Sequence, residues 1–131
     1  MKVRWTRESL RLRITPSELA ALRRGEAISE GLVFPGAGGG WTVRLDPTAA
    51  ETGVAWVEGV VRVGVVPADI RRLAEPGAEG IYPHTPELRL LVEKDFPCAH
   101  PHATEAMEPT TERFAPSPAF LERKAGGTDD Y

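Results

Sequence analysis

Residues 5–25 and 56–76 of the chain align without a gap at an offset of 51. The first stretch reads WTRESLRLRITPSELAALRRG and the second WVEGVVRVGVVPADIRRLAEP. Trp5 meets Trp56, Arg11 meets Arg62, Pro16 meets Pro67 and Leu22 meets Leu73. Four identities carry little weight by themselves. The two stretches also agree in physical role, element by element. A repeat decides how many units must pack together before any core exists, so it governs every later inference about the fold.

In each copy a strand ends on the tryptophan and a short polar turn follows. An alternating strand comes next. Leu10, Leu12 and Ile14 share one face, with Arg11 and Arg13 opposite, and Val61, Val63 and Val65 alternate with Arg62 and Gly64. Period-two alternation rich in branched residues is the mark of a half-buried strand, and two such runs about four residues apart form a hairpin. Each hairpin runs into a helix start. TPSE puts Thr15 at the N-cap, Pro16 at the first helical position and Glu18 at the third, the spacing of a capping box. VPAD keeps the proline, with Asp69 near the positive end of the helix. The helices should cover about residues 16–24 and 67–75, with Gly25 and Pro76-Gly77 as stops.

Further strands follow at Ala27–Phe34 and Gly80–Tyr82. The last strands match as Val43-Arg44-Leu45 with Leu88-Arg89-Leu90, at an offset of 45. The six residues missing from the second copy are mostly the loop PGAGGG, Pro35–Gly40. That loop lacks the Lys-Ser/Thr of a phosphate-binding loop and precedes no helix, so it reads as a hairpin connection. The expected fold is α+β. Two strand-strand-helix-strand-strand units pair about a pseudo-twofold axis into a mainly antiparallel sheet or barrel with two short helices. One duplicated domain should span residues 1–102, with halves at about 1–50 and 51–98. Residues 103–131, rich in proline and glycine, should form an extended, partly disordered tail in which Phe114, Phe120 and Leu121 could dock on the core.

The 131 residues suffice for one domain. A net charge of −3 argues against binding nucleic acid or anionic membrane by bulk charge. The charge is uneven, however: residues 1–24 carry seven basic side chains against two acidic ones, and residues 103–131 carry six acidic against three basic. A single cysteine cannot form an internal disulfide. No signal peptide and no membrane-spanning run is visible. A cytoplasmic location follows as the expectation.

The stretch FPCAHPH, Phe96–His102, looks the most chemical. Cys98, His100 and His102 would share one side of an extended chain, and His84 is the remaining histidine. Thiolate and imidazole suit zinc, copper or nickel. The spacing is one loose cluster rather than the paired elements of a zinc signature. Cys98 with a neighbouring histidine could also suggest a nucleophile and base, but close neighbours in an extended segment rarely reach that geometry, and no oxyanion hole is legible. Glu93 and Asp95 flank Lys94 and should end the last strand in solvent. Candidate binding residues are Arg11, Arg13 and Lys94.

The step from hairpin to helix over Val65–Leu73 resembles that of the swapped-hairpin transcription factors of the AbrB type. The Arg4, Arg7, Arg11, Arg13 stripe would suit such a role, and the acidic total argues against it. A wider resemblance covers residues 1 to about 100. The opening MKVRWTRESLRLRITPSEL and the closing LVEKDFPC are similar to segments of a family of short bacterial proteins without an assigned function. That resemblance implies a compact domain ending near Cys98 and a variable tail, and it carries no activity. The expected function is a small non-enzymatic binding or accessory domain with a protein or small-molecule partner, alone or as a homodimer. The alternatives are a metal-binding protein and a nucleic-acid-binding regulator.

Overall fold

A computed structural model describes residues 1–33, 36, 40–97 and 114–115. The first half contributes β1 (Lys2–Trp5), β2 (Ser9–Ile14), α1 (Pro16–Arg23), β3 (Ile28–Val33) and β4 (Gly40–Asp46). The second contributes β5 (Gly53–Val57), β6 (Val60–Gly64), α2 (Pro67–Ala74), β7 (Gly80–Ile81) and β8 (Arg89–Lys94). The strand-strand-helix-strand-strand order therefore occurs twice.

The halves exchange hairpins. One sheet has the order β1-β2-β8-β7 and the other β3-β4-β6-β5. Each sheet thus takes one hairpin from each half. Four of the six pairings are antiparallel, and the two that join the halves, β2 with β8 and β4 with β6, are parallel. The fold is α+β, built from two mixed four-stranded sheets with no closed barrel.

The register corrects one detail of the repeat. Leu10 pairs with Leu90, and its equivalent Val61 pairs with Val43. Val43 therefore corresponds to Leu90, not to Leu88. A slip of two residues keeps every side chain on its face, so alternation alone cannot detect it.

The local sequence signals are realised in the helices. Thr15 Oγ1 accepts from the Glu18 amide at 3.3 Å, and the Thr15 amide donates to Glu18 Oε1 at 3.0 Å. Gly25, at φ 82°, ends α1: its amide donates to Leu22 O and the Glu26 amide to Ala21 O, the double bond of a Schellman motif. α2 has Val66 at its N-cap and no side-chain cap. Asp69 in its first turn is ion-paired to Arg72.

The inward faces of the two sheets and the apolar stripes of the helices enclose one core. Leu10, Leu12 and Ile14 meet Val61, Val63 and Val65, with Leu22, Leu73, Leu45 and Val92 filling it. The strands alternate because only one face of each sheet is buried. β8 is the exception. Leu90, Leu91 and Val92 are all buried, Leu91 lying on the outer face beside Arg11. Long arginine stems can cover an apolar side chain while their heads stay in water.

Candidate binding surface

All three tryptophans of the chain gather at one end of the core. Trp5 pairs with Leu10 at the tip of the first hairpin, and Trp56 with Val61 at the tip of the third. Both rings lie on the inward face of their sheets, in equivalent places, as the repeat required. Trp41, after the glycine loop, stands between them. Its ring centroid is 5.7 Å from that of Trp5, edge to face, and 6.3 Å from that of Trp56. Trp41 packs against the core, whereas Trp5 is 45% exposed and Trp56 62% exposed. Leu32, beside Trp41 in the register and 47% exposed, extends the apolar surface. The sequence placed Trp5 and Trp56 but not Trp41. In the corrected register Trp41 corresponds to Leu88, so the repeat carries no second tryptophan there and was silent about it.

The outer face of the first sheet is cationic. Lys2 stands opposite Arg13, and Arg4 opposite Arg11. Arg89, beside Ser9, continues the face onto β8. On the second sheet Arg44 stands beside Arg62. Among the described residues thirteen basic and thirteen acidic side chains balance, so these faces reflect segregation rather than excess. Two carboxylates answer the cations of the first sheet at the end remote from Trp5. Arg11 Nε lies 2.8 Å from Glu93, and Asp95 lies 3.3 Å from Lys2 Nζ and 3.5 Å from Arg13 Nη2. Tyr82 donates to Glu93 at 3.1 Å; burial, and then the Glu93 charge, push its hydroxyl up to about 12.

Lys94 and Asp95 do not end the strand in solvent. Lys94 is 6% exposed and Asp95 1% exposed. Lys94 occupies the inward position opposite Ile14, and its ammonium donates to Glu75 O at the end of α2. The Phe114 ring lies 5.6 Å away. Burial lowers the Lys94 pKa. Asp95 is fixed through its backbone, its amide donating to Ile14 O and its carbonyl accepting from the Phe114 amide. Among the described residues its Oδ1 accepts no hydrogen bond and is held by the charge of Arg13. A charged triplet next to a proline reads as a solvated strand end. Here α2 and the returning Phe114 cover it instead. Phe114 also packs on Phe96 with centroids 6.0 Å apart.

Residues 1–113 match a family of unknown function (DUF7009). The chain belongs to that family. No curated protein and no solved structure gives a match.

The expected binding residues of this DUF7009 chain do not share one face. Arg11 and Arg13 lie on the outer face of the first sheet, while Lys94 points to its inner face. His84 is exposed and bridges to Arg89 at the start of β8, the opposite end of that strand from Pro97. Cys98, His100 and His102 lie outside the described residues, as do Phe120 and Leu121. Among the described residues no cluster of three or more His, Cys, Asp or Glu could hold a metal ion. A groove of about 360 Å³ runs between α2 and β7, lined by Asp69, Arg72, Glu75, Ile81 and Tyr82. Its two charged helix residues pair with each other. No helix among the described residues is long and apolar enough to cross a membrane.

Proposed function

We propose that the chain is a small non-enzymatic binding domain whose contact surface is the tryptophan end. The observation that carries this reading is the exposure of Trp5 and Trp56. An indole is the costliest side chain to leave in water, since each ring holds about 150–250 Å² of surface. Two such rings beside a third form a surface of the kind that marks interaction sites. The expected setting is a bacterial cytoplasm, supported by a fold whose single cysteine asks for no disulfide.

The test is a titration of tryptophan emission against oligonucleotides, oligosaccharides and peptides, with Trp5→Ala and Trp56→Ala beside the wild type. A ligand that perturbs the emission and binds both variants at least about tenfold more weakly supports the reading, tenfold being about 1.4 kcal/mol. A ligand held equally well by all three proteins moves the contact surface elsewhere. Turnover of a small molecule that Cys98→Ser abolishes would overturn the non-enzymatic assignment.

A further inference from the structure

We infer that the tryptophan end binds a small quaternary ammonium compound, its cationic head seated against the indole faces. The inference rests on the tryptophan end being the contact surface and adds the chemistry of its ligand.

The repeat supplies the first argument. Pro16 and Pro67 are shared by the halves because they open the helices, and Leu22 and Leu73 because they fill the core. Trp5 and Trp56 need another reason. They stand on the inward faces, opposite Leu10 and Val61, yet remain 45% and 62% exposed.

Ring geometry supplies the second. The plane of Trp5 is turned 81° from that of Trp41, and the plane of Trp56 52°. Steeply inclined rings form walls, not the row of parallel faces on which flat bases or sugar rings stack. A compact head group can touch more than one wall. The outer centroids lie 5.7 and 6.3 Å from that of Trp41, so one cation can stay within about 6 Å of two rings, the reach of a cation–π contact.

Charge supplies the third. The face of an indole is negative and attracts cations. Carboxylates surround these rings. Glu30, opposite Val43 on the inward face of β3, is a diagonal neighbour of Trp41. Glu8 and Glu58 stand in the turns of the first and third hairpins. Glu87 precedes β8 close to the first of those turns, where the Arg89 amide donates to Glu8 O. All four are exposed, and none has an ion-pair partner among the described residues. Arg7 is the basic residue in these turns. The strand arginines Arg4, Arg11, Arg44, Arg62 and Arg89 lie on the outer sheet faces, away from the indoles.

Aromatic walls edged by carboxylates select a cation. A methylated ammonium suits them better than a lysine head, which is strongly hydrated and gives up its water at a cost. A phosphate in the ligand would meet the carboxylates, which sets aside nucleotides and lipid headgroups.

The experiment is a calorimetric titration of the full chain with three probes. They are choline, its neutral analogue in which a tert-butyl group replaces the trimethylammonium, and a peptide bearing trimethyl-lysine. Choline should bind saturably and at least about tenfold more tightly than the analogue of the same shape. Trp56→Ala should weaken choline about tenfold. Trp56→Phe should recover part of that loss, and Trp56→Leu, apolar but without a ring face, none of it. Glu30→Gln should weaken choline about threefold at low salt and less at high salt, since an exposed charge is screened. Trp56 is exposed enough for its variants to keep the fold, which the circular dichroism spectrum checks. The inference is overturned if choline does not bind saturably, if the neutral analogue binds as tightly, or if Trp56→Ala changes nothing. A peptide held at least about tenfold more tightly than choline overturns the small-molecule assignment in favour of a methylated protein. Loss of a neutral sugar or apolar peptide on Trp56→Ala, with no ammonium bound, would keep the contact surface and discard the ligand class.

Discussion

Leu12 of β2 pairs directly with Val92 of β8, although one lies in the second strand of the chain and the other in the last. The same relation joins Leu45 and Val63 in the other sheet. Neither half owns a complete sheet, because each donates a hairpin to the other half's strands.

This relation predicts the behaviour of fragments. Residues 1–50 and 51–131, made separately, should each lack cooperative thermal unfolding, since about half of a small domain buries too little surface. Mixed, they should regain it together with a dispersed amide spectrum. A first half that unfolds cooperatively alone as a monomer would contradict the exchange of hairpins.

Asp95 should matter to stability more than its place at a strand end suggests. Asp95→Ala leaves Lys2 and Arg13 beside a space that held their counter-charge. Removing one partner of a fully buried pair costs about 3–5 kcal/mol. Here both cations keep some contact with water, so the expected loss is about 2 kcal/mol. Urea denaturation measures it, and a loss below about 0.5 kcal/mol, the scale of an ordinary surface change, would show that the ion pairs contribute nothing.

Lys94 sets a pH dependence. Burial holds its folded pKa below the ordinary lysine value of 10.5. The unfolded chain therefore binds more protons in the window between the folded value and 10.5, and stability attributable to Lys94 rises with pH through it. Tyr82 works the other way. Its hydroxyl, raised to about 12, contributes stability that is full below the ordinary tyrosine value of 10.0 and is lost as pH rises from there through about 12. Below about pH 10 the Lys94 effect is isolated. Wild type compared with Lys94→Met should gain melting temperature between about pH 7 and about pH 10. A constant difference would contradict the burial of a charged ammonium.

Thr15→Ala should cost about 1 kcal/mol, because it removes one side of the capping box of α1. Thermal unfolding checks it. A neutral result would mean that α1 is held by Leu19 and Leu22 alone.

The features legible in the sequence were those governed by local rules. Alternation located β2 and β6, and the caps located α1 and α2 within a residue. The equivalence of Trp5 and Trp56 followed from the repeat. The exchange of hairpins was not legible, because strand pairing between halves is decided by which apolar faces close a common core. For the same reason the register of β8 was read two residues off. The burial of Lys94 and Asp95 escaped because their covering groups, α2 and Phe114, are distant in sequence. Trp41 joined the candidate surface without a signal in the repeat.

The most direct measurement of the account is the set of three indole N–H resonances, each assigned by single substitution of Trp5, Trp41 or Trp56. A ligand found by the tryptophan-emission titration should move the Trp5 and Trp56 signals and leave the amides of α2 and β7 in place. Shifts confined to the groove between α2 and β7, or indole signals that stay fixed while the ligand binds, would contradict it.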